Sequence, residues 1–492
     1  MIAQAGSLDP DFGIKGIVIT DFANSDDHAN AIAIQPNGKI IAGGSTYGSG
    51  NGVNLALVRY NSNGSLDITF GDNGKVKLSL GPYDEVINDI KLQIDGKIVV
   101  AGYYHTGTTT HFLVARFNID GSIDTMFGNN GSVITSIGIS SVAQAIAIQS
   151  DGKILVAGYS SSSSINNFTI VRYNSEGSLD NSFSNDGIQT TEFEYGGNHI
   201  DSRAIGIGLQ DGKIVIAGNI NLSLTIIQYA NALTRYNSDG SLDESFGNNG
   251  KIITQIGNGA FCSSVAIQSD SKIVCAGNTN INSTRCFTLV RYNSNGAQDI
   301  NFGSNGVVSI NSSGNANAIV VQPDGKYVLA GEILKDNDWR FAVARLNSDG
   351  TRDYSFGQMG ITIPEFNNDG RLSSVALLSD GQIIVGGSKY YSTGNDFYIA
   401  RFISGLTTYI NPQENIVVND FLIFPNPASD MIHFENIKNN DVIIEVIDSN
   451  GKLILSKQLE SNSIDISYLY KGIYVIKLIS SHWTRVSRFV KK

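Results

Sequence analysis

The chain alternates along much of its length. Ala31-Ile32-Ala33-Ile34-Gln35 and Ala145-Ile146-Ala147-Ile148-Gln149 set small and branched side chains at period two, which predicts a strand with one face buried. Such runs stop at Asp-Gly-Lys or a close variant, and Asp-Gly or Asn-Gly supplies the φ > 0 positions of a tight hairpin. A second apolar run follows, as in Lys153-Ile154-Leu155-Val156-Ala157-Gly158, and then a third, as in Phe168-Thr169-Ile170-Val171-Arg172-Tyr173. The third run ends in Asn-Ser-x-Gly-Ser-Leu-Asp, rich in residues that bond their own backbone. A Phe-Gly-x-x-Gly turn leads to a fourth short run, as in Gly250-Lys251-Ile252-Ile253-Thr254. No segment sustains a helical period, so the pattern predicts four short strands per unit.

The unit recurs. Gly-Ser-Leu-Asp begins at Gly6, Gly64, Gly177 and Gly240, with variants at Gly121, Gly296 and Gly350, spaced 54 to 63 residues apart. Asp-Gly-Lys and its variants recur in phase at Asn37, Asp95, Asp151, Asp211, Asp270, Asp324 and Asp380. Seven copies at this period predict an all-β, seven-bladed β-propeller over residues 6–402. The first unit begins with the turn and fourth strand, Gly6 to Thr20, whereas the last stops after its third strand at Arg401-Phe402. The N-terminal strand is therefore expected to complete the last blade, closing the ring and covering an edge that would otherwise invite aggregation. An open solenoid would need capping units. Two unrelated β domains would not share in-phase markers.

Internal copies separate architecture from function, because a residue present in every blade is architectural and a site is unique. Arg59, Arg116, Arg172, Arg235, Arg291, Arg345 and Arg401 close the third strands, and Asp9, Asp67, Asp124, Asp180, Asp243, Asp299 and Asp353 end the Gly-x-x-Asp turns. These are expected to form a repeated hydrogen-bonded pair or turn cap inside each blade; the functional alternative is seven bound ions or ligands. The Phe of Ser-Phe-Gly and the Leu of Gly-Ser-Leu-Asp read as core between blades. The two uniform connections, one–two and three–four, fall on one face of the disk, and the variable two–three and four–one connections fall on the other. Variable loops on a rigid scaffold are the usual place for a site. The candidate ligand face is marked by Tyr103, Tyr104, His105, Glu194, Tyr195, His199, Trp339, Tyr390 and Tyr391. Such aromatic and acidic residues could hold a glycan or a cation; ordinary solvated loops are the plainer reading.

Composition narrows the classes. Lys plus Arg is 34 against 45 for Asp plus Glu, a net charge of −11 with scattered basic residues. That excludes nucleic-acid binding, which needs concentrated positive charge. No apolar run approaches ~18 residues, so no transmembrane helix is expected. With 53 Gly, 8 Pro and 16% charged residues, the chain fits a turn-rich β protein rather than a disordered one, and no three-residue glycine period suggests collagen. Three cysteines cannot build a disulfide framework, although Cys275 and Cys286 bracket a hairpin loop and could face each other. His28, His105, His111, His199, His433 and His482 are scattered, and only His105 and His111 flank one loop where they could approach. No H-E-x-x-H, Walker A, G-x-S-x-G or Cys-pair metal motif occurs, so no catalytic, cofactor-binding or metal residue is assigned. Asp26-Asp27 and Asp336-x-Asp338 fall short of a full calcium loop, which leaves calcium as the one cofactor considered. A site drawing single residues from several blades would leave no linear motif.

After Phe402 the repeat stops, and residues 403–420, with Gly405 and Pro412, read as a linker. Several short strands then follow within residues 421–492, predicting a small Ig-like β-sandwich. Phe424-Pro425-Asn426-Pro427, the turn Asp448-x-x-Gly451-Lys452, Ile464-Asp465-Ile466-Ser467-Tyr468-Leu469, Gly472-Ile473-Tyr474, Lys477 and the final Arg488-Phe489-Val490-Lys491 occur in that order. Together they resemble the type A C-terminal sorting domain of type IX secretion cargo in the Bacteroidetes, with Phe424 where that family more often has Tyr. The resemblance implies the type IX machinery as partner, and export across the outer membrane followed by release or surface attachment. It also implies Sec passage, so residues 1–5, which contain Ala3-Gln4-Ala5, read as the end of a signal peptide begun upstream. Residues 6–402, through Gly-Ser-Leu-Asp-x-x-Phe-Gly-x-x-Gly, resemble the delta-60 repeat family, which implies a β-propeller and says little about activity. The leading expectation is a secreted or cell-surface propeller that binds glycan or protein without catalysis. Its rivals are a polysaccharide-active hydrolase or lyase with acids from several blades, and a structural or adhesion component.

Overall fold

The computed structural model describes residues 4–405, less 23–24, 48–51, 224–227, 282–283, 312, 365–369 and 392–393. Beyond these it describes 423–424, 428–434, 442–448, 453–459, 461, 463–479 and 484–492. They fall in two compact units, Met1–Leu406 and Thr407–Lys492.

The first unit is seven antiparallel sheets of four strands. Blade one runs Asp27–Ile34, Ile40–Tyr47, Val53–Tyr60 and Lys75–Leu78, in that order across the sheet. The first strands of blades two to seven are Glu85–Leu92, Ser140–Ile148, Ser202–Gln210, Ala260–Ile267, Gly314–Val321 and Gly370–Leu377. Each first strand packs on its two neighbours, Asp27–Ile34 meeting both Glu85–Leu92 and Gly370–Leu377, so the ring closes around its axis. Blade seven takes its outer strand from the chain start: Ile17–Thr20 pairs with Gly394–Phe402, Ile17 opposite Ala400. Gly6 N donates to Ile403 O and Ile403 N to Ser7 O, and Ala5 O accepts from Gly357 N. The bonds of the ring thus include Ala5, one of the residues read as a signal remnant.

Second and third strands are apolar on both faces because each sheet is sandwiched between two others. Leu155, Phe168 and Ile170 of blade three pack on Ile214, Ile216 and Tyr236 of blade four. A buried phenol also crosses between blades: Tyr60 with Thr20, Tyr173 with Thr135, Tyr236 with Thr191 and Tyr292 with Thr254, at 2.7–2.8 Å.

The markers of the repeat meet at one node. The arginine Nε donates to the aspartate Oδ2 in all seven blades, Arg59 to Asp67 through Arg345 to Asp353 and Arg401 to Asp9, at 2.6–2.9 Å. The lysine of the hairpin joins the same carboxylate in six of them, from Lys39 on Asp67 at 2.7 Å to Lys326 on Asp353 at 3.1 Å. Blade seven has Gln382 there. Each guanidinium lies 4.1–4.9 Å over the Phe of the following turn, and its Nη1 reaches a carbonyl of the next blade, Arg291 to Ser348 O at 2.7 Å and Arg401 to Ser62 O at 2.5 Å. One side chain therefore caps its own turn and ties two blades together.

Every first strand carries a bulge that simple alternation did not predict. Its register shifts by one residue between Ala29 and Ala31, and at the matching place in the other six blades. The second strand answers with a glycine at each site. At Gly158 an added Cβ would stand 2.0 Å from Val142 O, so only glycine fits against the bulge.

The second unit is a two-layer sandwich. Ile423–Phe424, Met431–Phe434 and Ser463–Asp465 form one sheet; Leu453–Gln458, Ile443–Asp448, Gly472–Ile479 and Thr484–Lys491 form the other. Ile432, Phe434 and Ile464 face Ile444, Val446, Ile476 and Leu478 in its core. Tyr474 stacks on Phe489 at 5.4 Å. Of the motif residues, Phe424, Asp448, Gly472, Lys477 and Lys491 lie on strands of this sandwich, while Pro425, Asn426, Pro427, Gly451 and Lys452 lie outside the described residues.

Candidate functional site: the axial funnel and its side pocket

The residues marked on the variable face are not in loops. Tyr103, Tyr104 and His105 end the strand Ile98–His105, Tyr390 and Tyr391 end Ile383–Tyr391, and Trp339 lies in Asp338–Leu346. Glu194, Tyr195 and His199 form an added hairpin, Phe193–Tyr195 with Asn198–Ile200. On strands, successive side chains point to opposite faces, and this disperses the set. Tyr104 packs into the core between blades one and two. Burial, with Asp84 and Tyr159 nearby, pushes the Tyr103 phenol up. His105 sits edge-on to Tyr83 at 6.1 Å, and His199 shares a 2.8 Å hydrogen bond with Asn167. Lys389 lies over the Tyr391 ring, Glu194 and Tyr195 stay exposed, and Trp339 is half-buried opposite Leu334. Tyr390 enters the axial funnel.

Two approaches that the sequence left open do not occur. His111 pairs with Tyr104 and His105 with Thr110, so the two rings leave opposite faces of their hairpin. Cys275 stands opposite Val290 and Cys286 opposite Thr279, so the two do not face each other, and all three cysteines are buried. A hydrogen bond with Cys262, together with burial, raises the Cys275 thiol. For calcium, the structure brings Asp27 together with Asp21 and Asp396, one oxygen of each within 4.8 Å of the others. Asp27 already accepts from Phe22 N and Ser25 Oγ, each at 2.6 Å. Asp26 turns instead to Asn395 and His28, and Asp336 and Asp338 flank Arg340.

The funnel is a cavity of about 710 Å³ lined by the first strands of all seven blades, with Ser388 and Tyr390 at its mouth. Its mouth opens on the variable face, where first strands begin and second strands end. The bulges set its wall, since a bulge re-aims a side chain. Asn30, Asn88 and Asn317 sit at bulges, and each donates to a carbonyl of the next blade, Ile87, Ala143 and Leu372, at 2.7–2.8 Å.

A side pocket of about 370 Å³ joins the funnel, sharing Phe261, Asn317 and Arg371 with it and adding Tyr229, Arg285, Asn315 and Glu332. Glu332 follows the second-strand glycine. The same place holds Ser45, Tyr103, Tyr159, Asn219, Asn278 and Ser388 in the other blades, so it is the single carboxylate of seven. Asn315 Nδ2 donates to its Oε1 at 2.8 Å and Asn317 Nδ2 to its Oε2 at 2.5 Å. Burial raises the Glu332 carboxyl, and Arg371, with Nε 3.8 Å away, and the two amides oppose it. Tyr229 and Phe261 meet edge to face at 5.4 Å. The pocket thus offers cationic donors, one buried acceptor, amides and an aromatic wall. Arg285, Arg371 and Asn315 carry no motif and escaped the reading of the sequence; aligning the seven copies isolates Glu332.

These features define a class: a closed seven-bladed ring followed by a β-sandwich export domain. Residues 35–70, 93–127, 149–183, 209–246, 268–302, 322–356 and 378–404 match the family described as Domain of unknown function (DUF5122) beta-propeller. Residues 422–492 match the Secretion system C-terminal sorting domain. The chain belongs to the DUF5122 β-propeller repeat family and carries a type IX sorting domain, which directs export to the cell surface or extracellular space. Among the described residues no helix is long and apolar enough to cross a membrane. No curated protein matches the chain. Among solved structures, PorZ, a surface component of the type IX secretion system of Porphyromonas gingivalis, is similar at 12% identity and TM-score 0.39. The chain is covered to 94% and spans 59% of that protein's length. The polysaccharide lyase Uly1 is similar at 12% identity and TM-score 0.47, over 82% of this chain and 93% of the other. Trypanosoma rangeli sialidase in complex with sialic acid is similar at 10% identity and TM-score 0.37, over 99% and 88%.

Proposed function

We propose that the protein works outside the cell as a binding module that seats a glycan in the funnel and its side pocket. One observation carries this: the repeated node is the same in all seven blades, while the residues that line the funnel and its side pocket vary from blade to blade. A concave wall of amides, arginines and one carboxylate, with aromatic rings beside them, suits a ligand rich in hydroxyls. Calorimetric titration of the full chain with a panel of oligosaccharides tests the reading. Arg371→Gln and Tyr390→Ala are each expected to weaken binding about tenfold, the loss of one charged or stacking contact. Undiminished binding by both variants would place the ligand elsewhere.

The Glu332 carboxyl favours a second reading. A buried carboxyl raised above its ordinary value is what a general acid requires. Polysaccharide turnover that disappears in Glu332→Gln would establish an enzyme in place of the binding module.

A further inference from the structure

We propose that the side pocket is a subsite for a carboxylate-bearing sugar residue, with Arg371 and Arg285 receiving the carboxylate. This rests on the glycan reading above and narrows it to acidic glycans.

Charge carries the first step. The chain is net −11, yet this pocket is lined by two arginines against one glutamate. Arg203, which holds the matching place in blade four, is matched: it pairs with Asp201 at 3.3 Å and lies over the Tyr159 ring. Arg371 makes only long contacts among the described residues, 3.8 Å to Glu332 and 3.5 Å to Asn317, and its side chain is 55% exposed. Arg285 has no ion pair among the described residues and is exposed. A planar guanidinium presents paired donors that match a carboxylate.

The rest of the wall selects the class of molecule. Asn258, Asn278, Asn280, Asn315 and Asn317 line the pocket. Each side-chain amide carries donor and acceptor together, which matches adjacent sugar hydroxyls better than the single amide of a peptide link. Glu332 adds an acceptor, and the Tyr229–Phe261 pair offers an apolar wall for a ring face. The volume, about 370 Å³, lies near the lower end of small-molecule pockets. The opening past Phe261 and Arg371 leaves the funnel for the rest of the chain.

The test is calorimetry on the full chain with tetrasaccharides of galacturonic and glucuronic acid, their carboxyl-reduced forms, and tetra-glutamate. An acidic tetrasaccharide is expected to bind about tenfold or more tighter than its reduced form, the worth of one charge-assisted contact. Arg371→Gln and Arg285→Gln should each abolish that preference while the melting temperature stays unchanged, and rising salt should weaken it. Equal binding of acidic and reduced sugars overturns the carboxylate subsite and leaves the glycan reading standing. Binding of none of the sugars overturns both. Tighter binding of tetra-glutamate than of any sugar reassigns the pocket to an acidic peptide and overturns the subsite.

Discussion

Replacing Arg345 by Met tests whether the repeated node holds the ring together. Arg345 is 2% exposed, donates to Asp353 Oδ2 at 2.8 Å, to Ser404 O and to Ser355 Oγ, and lies 4.6 Å over Phe356. Breaking a buried pair from one side costs about 3–5 kcal/mol. Asp353 would keep Lys326 at 3.1 Å and two bonds from Ser355, which sets the cost at the low end, about 3 kcal/mol. The lost bond to the Ser404 carbonyl adds about 1 kcal/mol. Unfolding entropy of about 2.1 cal/mol/K per residue over roughly 400 residues converts this to a fall of about 5 °C in melting temperature. Lys326→Met removes a partner that is 29% exposed and should cost about 0.5 kcal/mol, under about 1 °C. The double variant Arg345→Met/Asp353→Asn should cost less than the two single variants together, because neither charge is left buried alone. Circular dichroism melts of the full chain decide it. If Arg345→Met melts with the wild type, or no lower than Lys326→Met, the carboxylate is held by other groups and the node is not the tie between blades.

Three further outcomes follow from charge and topology. Burial alone would raise Asp353, but Ser355, Lys326 and Arg345 outweigh it and hold its carboxyl at about 2, and Asp67, Asp180 and Asp243 are likewise held well down. Their stabilisation is complete above the ordinary carboxylate value near 4 and is lost as pH falls through the folded values. Melting temperature should therefore drop steeply below pH about 4, and a flat profile there would contradict the pairing. Glu85 has the opposite sign: burial pushes its carboxyl up to about 7 against bonds from Leu80 and Gly81, with Asp84 adding to the rise. Its contribution is full below the unfolded value and is lost as pH rises through 7, so Glu85→Gln should flatten the melting profile between pH 5 and 8; an unchanged slope would place the titrating group elsewhere. Deleting residues 421–492 should leave the ring in the periplasm on cell fractionation, and its normal appearance outside the cell would falsify the role of the sorting domain.

The ring was legible because seven copies repeat the chemistry of their turns. Arg59 and Asp67 stand 8 residues apart in the chain and meet at 2.6 Å, so their pairing could be read from recurrence alone. That the same arginine crosses to the next blade could not, since its acceptor, Ile119, lies 60 residues on. The bulge was hidden for a different reason. Ala31-Ile32-Ala33-Ile34 alternates correctly, and the extra residue before it, Asn30, changes register without changing composition. Tyr103 to His105 read as loop because polar and aromatic residues follow a glycine, yet Gly102 is there to clear the Val86 carbonyl of the neighbouring strand, and the strand runs on past it.

The side pocket was the least legible part, because Arg285, Glu332 and Arg371 come from three blades, and no pattern within one segment joins residues so separated. Comparison between copies still reaches it. Where the ring must hold its shape, the copies agree: the arginine, the aspartate and the bulge glycine recur in every blade. Where Glu332 replaces a neutral residue beside a bulge, the backbone is the same as in six other blades, so packing of the fold does not demand a carboxylate there. A charge that the scaffold does not need, buried at a cost and held by two amides and an arginine, calls for a cause outside the scaffold. Contact with a ligand in the funnel supplies one, and the place of Arg371 varies in the same way, with His28, Val86, Val142, Arg203, Phe261 and Asn315 in the other blades.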